Sequence, residues 1–460
     1  MLATPYIPPP LPPSHHESDQ RNNNPTNDPF HALYYSLANL TLTTRETTTD
    51  PPSSSSFPTV PAQTVTGPEE VIQVTPLFPS GDNVVFAHSS FFSRHHRRAP
   101  HGLPAPYWQQ QQPDLPSPVQ VRERAAAAHL GPLLSTYHGG SHAQQQQQQE
   151  EGGRKEEEKG KEEVLVPFPE FPVRLMVKYH YHRVGRNGNS SSSSNGNWNW
   201  NGNGSQAASS EGKAMMLVRS VVTGSEAAVV VPEVFGWRRD AGSGDGFVYM
   251  AMPEGDVLAD RWEGMGEMER GQVCAQLRGV VSEWRRLRLG GVGFVGSVDN
   301  GPLGDLIFQR CTAAGAPPPG PFPTVAAFHD YFVTMAVSIS QDKYGGAGGS
   351  GQIRYTPHHL FPDDVPVLFT HGALHPRNII VSAGQSPRLV SIIGWEQAGW
   401  YPAYWELCKA RLECSRHGGL GSWETKYLPW ILDVEGLSRE TRGWQVGSLC
   451  QYWDYFVGLM

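Results

Sequence analysis

The residues best suited to chemistry lie in one stretch near the C-terminal end. It reads Val367-Leu-Phe-Thr-His371-Gly-Ala373-Leu-His375-Pro-Arg377-Asn378-Ile-Ile-Val381, then a turn, then Leu389-Val-Ser-Ile-Ile393-Gly394-Trp-Glu396-Gln-Ala398. Imidazole, guanidinium and carboxamide groups crowd between His371 and Asn378, bounded on both sides by short apolar runs. The pattern predicts a strand over 367–370, a polar loop, a strand over 379–381, turn chemistry over 383–387, and a strand over 389–393 that closes a hairpin. A polar loop held between strands places reactive groups on a rigid support.

This stretch resembles the core of the aminoglycoside phosphotransferase family, part of the protein-kinase-like superfamily. Fungal members carry His-Gly-Asp-Leu-His-Pro-Arg-Asn and, after a hairpin, Asp-Trp-Glu. Here the frame is kept and both aspartates are absent. Ala373 stands where the resemblance places the catalytic Asp, and Gly394 where it places the metal-binding Asp. The resemblance implies ATP and Mg2+ as cofactors and a small-molecule hydroxyl as acceptor. It also implies a metal-binding role for Asn378, a bracing role for His371 and a nucleotide-holding role for Lys178, with Glu211 as the carboxylate that pairs with it. Glu396, two residues beyond Gly394, is the carboxylate nearest in sequence that a metal would reach after local rearrangement. His375 and Arg377 face the cleft or tie the loop to its neighbours.

Phosphoryl transfer asks a protein mainly for positioning and charge stabilisation. Mg2+ is a hard ion that takes oxygen ligands. Ala373 has no proton-accepting group, and removing a positioned general base costs on the order of 10²- to 10⁴-fold in rate. Gly394 offers no ligand. The two changes touch different parts of the reaction, so an impaired or lost activity is expected, with ATP binding in doubt.

Elements elsewhere must position these groups. Pro172-Val-Arg-Leu-Met-Val-Lys178-Tyr reads as a strand with the lysine near its end. Glu211 to Ser220 reads as a helix, capped by Ser209 or Ser210. Val231–Trp237 and Phe247–Met252 read as two further strands, and Glu254-Gly-Asp256, after the second, resembles the family's hinge. Over Glu267 to Leu289, Val273, Leu277, Val280, Val281, Trp284 and Leu287 recur at helical spacing. Phe322–Ile339 and Tyr404–Cys414 supply further helices, and the last forty or so residues pack as helices too.

Residues 1–80, rich in Pro, Ser, Thr and Asn, predict a disordered region with too little apolar content to offset its ordering entropy. Its Pro8-Pro-Pro-Leu-Pro-Pro13 run offers a protein partner a docking segment. Residues 81–163 hold family-like lead-in segments (a strand over 83–87, then 89–92 and 115–121) broken by Gln tracts and a Glu/Lys run. Residues 164–252 form the small lobe, with an Asn/Gly/Ser insertion at 187–205, and 253–460 the large lobe.

Composition narrows the function classes. Lys+Arg 36 against Asp+Glu 44 makes a mildly acidic chain, which argues against a nucleic-acid binder. The basic knot Arg94-His-His-Arg-Arg98 reads as a solvated surface segment. Five scattered cysteines without metal-ligand spacing suit buried or free thiols in a reducing compartment. Neither a leader nor a membrane-spanning run is visible, so a cytoplasmic protein is expected.

The expectation is an α+β, two-lobed protein-kinase-like fold with a β-rich small lobe and a helical large lobe. Four readings compete for its role. They are a kinase-like binding or regulatory module that has lost transfer, a working small-molecule phosphotransferase with a non-standard site, a decaying relic, and an unrelated α+β domain. The frame from Lys178 to Glu396 makes the last the weakest.

Overall fold

The computed structural model describes residues 72–74, 78–86, 89–91, 114–128, 163–171, 173–180, 204–222, 231–290, 294–309, 317–344, 360–417, 421–434, 436–437 and 445–459. The chain divides into two compact units, residues 1–64 and 65–460, and every described residue lies in the second. The expectations for the Pro-rich head, the basic knot, the Gln tracts and most of the 187–205 insertion lie outside the described residues.

The first half of this unit is built on a five-stranded sheet. Its strands are β2 (Val84–Val85), β3 (Glu163–Phe168), β4 (Leu175–His180), β5 (Val234–Arg239) and β6 (Gly246–Ala251), in the order β2-β5-β6-β4-β3. All neighbours are antiparallel. Side chains alternate faces along a strand, and β4 uses that alternation fully. Leu175, Val177 and Tyr179 join a core with Phe91, Leu115, Phe235, Phe247 and Tyr249, whereas Met176 joins the opposite core. Lys178 and His180 share the Met176 face. That face is covered by helix α2 (Gly204–Val222), which brings Ala214, Met215 and Val218 into the same core.

The other face is covered by helix α1 (Pro118–Ala127), which lies earlier in the chain. Ser117 and Gln120 form a reciprocal capping box at its start, Pro118 sits in its first turn, and Val121 and Ala125 are buried on one side. The described lead-in residues 84–86, 89–91 and 114–127 thus pack onto the five-stranded sheet.

The second half is mostly helical. Its longer helices among the described residues are α3 (Glu267–Arg285), α4 (Val325–Tyr344), α5 (Trp405–His417) and α6 (Val446–Leu459). Three small sheets fill the spaces between them. One is the parallel pair β1 (Ile72–Val74) and β8 (Leu287–Leu289). The second joins β7 (Asp256–Val257), β11 (Ile379–Val381) and β12 (Leu389–Ile392). The third joins β9 (Gly296–Ser297), β10 (Val367–Thr370) and β13 (Gly399–Pro402).

Several boundaries differ from the sequence reading. Helix α2 starts at Gly204, so Ser209 and Ser210 lie inside it and cap nothing, and Glu211 sits mid-helix. The polar Asn/Gly/Ser tract hides this start, because apolar periodicity begins only at Ala214. Helix α3 stops at Arg285, and Leu287 turns into β8, where it pairs with Ile72. Its apolar side chain keeps helical spacing while its backbone is a strand. Asp256 extends into β7 and pairs with Val381. The 379–393 hairpin forms as expected, and β10 pairs instead with β13.

Candidate active site

The loop from His371 to Asn378 is held from three sides. Gly372 turns it with φ +78, and a Cβ there would meet the Gln397 carbonyl at 2.8 Å. The backbone N–H groups of His371 and Gly372 donate to the Glu406 carboxylate on α5 at 2.5 and 3.1 Å. Glu406 is fully buried, and burial pushes its carboxyl up to about 7, against the pull of these two N–H groups, Arg285 and Lys409. At the far end His375 caps a 3₁₀ turn, Pro376–Asn378, accepting from Arg377 N. His375 thus caps a turn within its own loop.

His371 joins this loop to the next. Its Nδ1 accepts from Ala373 N at 3.1 Å, so Nε2 carries the hydrogen and donates to the Ile393 carbonyl at 3.1 Å. Its ring lies edge-on to Trp395, centroids 4.3 Å apart, and stacks on Trp284. Complete burial holds its pKa down to about 3, so it is neutral at ordinary pH. A neutral imidazole with both nitrogens occupied braces the loop.

Asn378 lies across from Gly394. Its Nδ2 donates to the Ala373 carbonyl at 2.8 Å, and its own carbonyl accepts from Ile393 N at 2.9 Å. Gly394 has φ +83 and ψ 45, the left-handed region that glycine adopts freely. A Cβ on Gly394 would meet Nδ2, Cγ and Oδ1 of Asn378 at 2.9, 3.0 and 3.1 Å. The carboxamide thus fills the space that a side chain at 394 would need.

Ala373 is buried beside these groups. After Gly394 the chain makes a 3₁₀ turn, Trp395–Gln397, that carries Glu396 inward.

Lys178 enters from the sheet. Its Nζ donates to Glu211 Oε1 at 3.1 Å and to Glu396 Oε2 at 2.6 Å. Glu211 is further held by His180 Nε2 at 2.9 Å and by Trp395 N at 3.3 Å. The close approach of α2 to the sheet is set one residue later. Gly212 packs where a Cβ would lie 2.7 Å from the Trp237 ring. All of the sequence-derived candidates (Lys178, Glu211, His371, Ala373, Asn378, Gly394 and Glu396) therefore fall in one connected region, linked through Trp395 and Ile393. Glu396 stands on the lysine. Among the described residues no three His, Cys, Asp or Glu side chains are grouped to hold a metal ion.

Sequence reasoning missed the supports under this region. Beneath the turn, Lys409 on α5 donates to Asp305 Oδ1 at 2.8 Å and to Gln397 Oε1 at 2.9 Å, and Trp405 Nε1 donates to Asp305 Oδ2 at 2.9 Å. Gln397 also accepts from Leu306 N. The available signal was a charged residue inside an apolar run: Glu406 and Lys409 lie within Tyr404-Trp-Glu-Leu-Cys-Lys-Ala410.

Residues 208–419 match the family model described as phosphotransferase enzyme family. No curated protein matches the chain. Among solved structures it is similar to aminoglycoside-3'-phosphotransferase of type VIII, with 13% identity over 65% of this chain and 88% of that one, TM-score 0.32. It is similar to a thermostable mutant of aminoglycoside phosphotransferase APH(4)-Ia (N203A) in ternary complex with AMP-PNP and hygromycin B, with 14% identity over 66% and 92%, TM-score 0.31. It is also similar to APH(3'')-Id from Streptomyces rimosus ATCC10970, with 13% identity over 62% and 92%, TM-score 0.29.

Proposed function

We propose that this chain, whose residues 208–419 are a domain of the phosphotransferase enzyme family, keeps the shell of an ATP-dependent small-molecule phosphotransferase and has lost the transfer step. What supports this reading is the pair Ala373 and Gly394 set in a loop whose braces are intact. A methyl group at 373 accepts no proton from an acceptor hydroxyl. The residues present do not fit Mg2+ as they stand. Gly394 provides no oxygen, the Asn378 carboxamide takes the room a ligand there would need, and Glu396 is bonded to Lys178. Loss of the group that neutralises phosphate charge removes what this chemistry relies on most. The present role in this reading is binding or regulation.

ATP consumption tests it, with water as fallback acceptor so that no acceptor need be known. The chain as it stands is compared with Ala373→Asp plus Gly394→Asp, and with the same pair plus Asn378→Ser to make room at 394. Turnover is expected to be at background in the unaltered chain and to rise 10²-fold or more in one of the restored forms. Ordinary turnover by the unaltered chain, abolished by Glu396→Ala, would establish instead an active enzyme with a non-standard carboxylate.

A further inference from the structure

Cys408 on α5 and Cys450 on α6 are two thiols in contact. The Cys408 S–H donates to Cys450 Sγ at 3.4 Å, across 42 residues of chain, and both side chains are buried. A disulfide needs its sulfurs at about 2.05 Å, so a closure of about 1.4 Å separates this contact from a bond. Small side-chain rotations supply that closure, because the helices are already packed: Trp453 of α6 lies edge-on to Trp405 of α5, centroids 5.4 Å apart. Cys274 and Cys414 are buried too, and neither meets another sulfur among the described residues. The pair is also unequal. The hydrogen bond from Cys408, with the Arg411 charge adding to it, holds the Cys450 thiol below its ordinary pKa against the effect of burial, whereas burial pushes Cys408 well above. Gln451, the next residue, and Asp454, one turn on, are exposed. Cys450 therefore sits at the flank of α6 beside its solvent face, a short path for a small neutral oxidant.

We infer that Cys408 and Cys450 form a redox clasp, open as a dithiol and closed to a disulfide by hydrogen peroxide, which ties α6 to the helix that braces the His371–Asn378 loop. Its place gives the clasp a consequence. Cys408 lies between Glu406, which holds the His371 and Gly372 N–H groups, and Lys409, which holds Gln397. In the first step the Cys450 thiolate attacks one peroxide oxygen and the O–O bond breaks. A sulfenic acid forms, and the departing hydroxide takes up the thiol proton as water. The Cys408 sulfur then attacks the sulfenic sulfur, the S–S bond forms, the S–O bond breaks, and a second water leaves with the Cys408 proton. The two sulfurs lose two electrons, both taken by the peroxide. Two thiols and one hydrogen peroxide thus give one disulfide and two waters, and a small dithiol reverses the closure by exchange. The inference stands on the two helices alone, whatever the cleft binds.

The test uses the full chain, reduced and then freed of reductant, and exposed to hydrogen peroxide. Free thiols are alkylated in denaturant and the chain is digested without reduction. Trypsin cuts after Lys409 and Arg411, so Cys408 and Cys414 fall in separate peptides. The second measurement is the melting temperature before oxidation, after it, and after return to a dithiol. It is made on the unaltered chain, on Cys450→Ser and on Cys408→Ala. The unaltered chain carries the test by itself should a variant fold poorly.

The expected result is the Cys408–Cys450 peptide pair as the dominant disulfide, with Cys274 and Cys414 still alkylated. The melting temperature should rise by about 3 °C or more on oxidation and return with the dithiol, and neither variant should show the rise. Pairing through Cys274, Cys311 or Cys414 instead, a disulfide between two copies of the chain, sulfinic or sulfonic acid at Cys450 without the pair, or thiols left untouched overturns the inference. So does a pair that forms while the melting temperature stays level or falls, because such a bond ties nothing. A rise that persists in both variants overturns it as well, since the stabilisation would then come from another oxidation.

Discussion

Around Lys409 the buried charges have their partners: ammonium to Asp305 and Gln397, Asp305 also to Trp405 and Ile307 N, and Glu406 to two backbone N–H groups of the loop. At Ala373 and Gly394 the side chains are a methyl and a hydrogen. The first region braces the loops that carry the second, yet it is built on buried charges and the second holds none at 373 or 394. Burying an ion pair is weak evidence for stability in itself, because desolvation offsets the attraction. Its persistence here shows which part of the molecule the fold still depends on. The supports fix the shape of the loop.

If that contrast holds, the supports are the place to break the molecule. Asp305→Ala leaves a fully buried ammonium facing only Gln397. The expected loss is about 3–5 kcal/mol of unfolding free energy, read by urea denaturation. Asp305→Ala with Lys409→Met should recover much of it. Ala373→Gly, by comparison, deletes one buried methyl and should cost about 1–2 kcal/mol. Similar losses at 305 and 373 would erase the distinction.

Glu406 offers the next largest effect on the same side. Glu406→Ala strands the His371 and Gly372 N–H groups, each costing about 1–3 kcal/mol when left buried without a partner. Glu406→Gln retains an acceptor oxygen and should fall well short of that loss. Equal loss in both variants would make the pair a matter of packing volume.

Gly394 sharpens the comparison from the other side. Gly394→Ala places a Cβ in a left-handed backbone and against the Asn378 carboxamide. Left-handed backbone costs an L-residue about 1–2 kcal/mol, and the contact adds to it. The contact share should vanish in an Asn378→Gly background and the backbone share should remain. A double-mutant cycle in denaturant measures both. A coupling near zero would mean that Asn378 moves aside freely and that the space is not truly filled.

What the sequence made legible was local. The order of Lys178, Glu211, loop and Asn378, the hairpin at 379–393, and the missing aspartates all follow from residue types at short spacing. The helix start hidden in the Asn/Gly/Ser tract was not legible, because apolar periodicity begins ten residues after the backbone turns helical. Nor were the long-range polar pairs. Lys178 meets Glu396 across 218 residues, and Lys409 meets Asp305 across 104. Periodicity reports which face of an element is apolar, and it carries no address for the partner of a buried charge. In sequence Glu396 is two residues from Gly394, and only the fold shows that its carboxylate meets Lys178.

The smallest expected effect concerns pH, and it sets the loop's two titrating supports against each other. His371 has its pKa held near 3 by burial, against an ordinary 6.5. Between those values the unfolded chain binds a proton that the folded chain does not, so this group lowers stability as pH falls from 6.5 toward 3. Glu406 has its pKa raised by burial to about 7, against an ordinary 4.5. Between those values the folded chain holds the extra proton, so this group lowers stability as pH rises from 4.5 to 7 and contributes no further slope above that. From 4.5 to 6.5 the two slopes oppose each other and nearly cancel, and below 4.5 the His371 slope acts alone. Glu406→Gln removes one side of that balance. Its melting temperature should rise with pH between 4.5 and 6.5 relative to the unaltered chain, while His371→Gln should show the reverse trend. Other carboxylates, such as Glu267 held low by Lys426, titrate alike in all three proteins and drop out of the difference curves. Parallel curves for all three would mean that neither group carries its charge change in the folded loop, and the account of the loop as held by two buried, titrating braces would have to be given up.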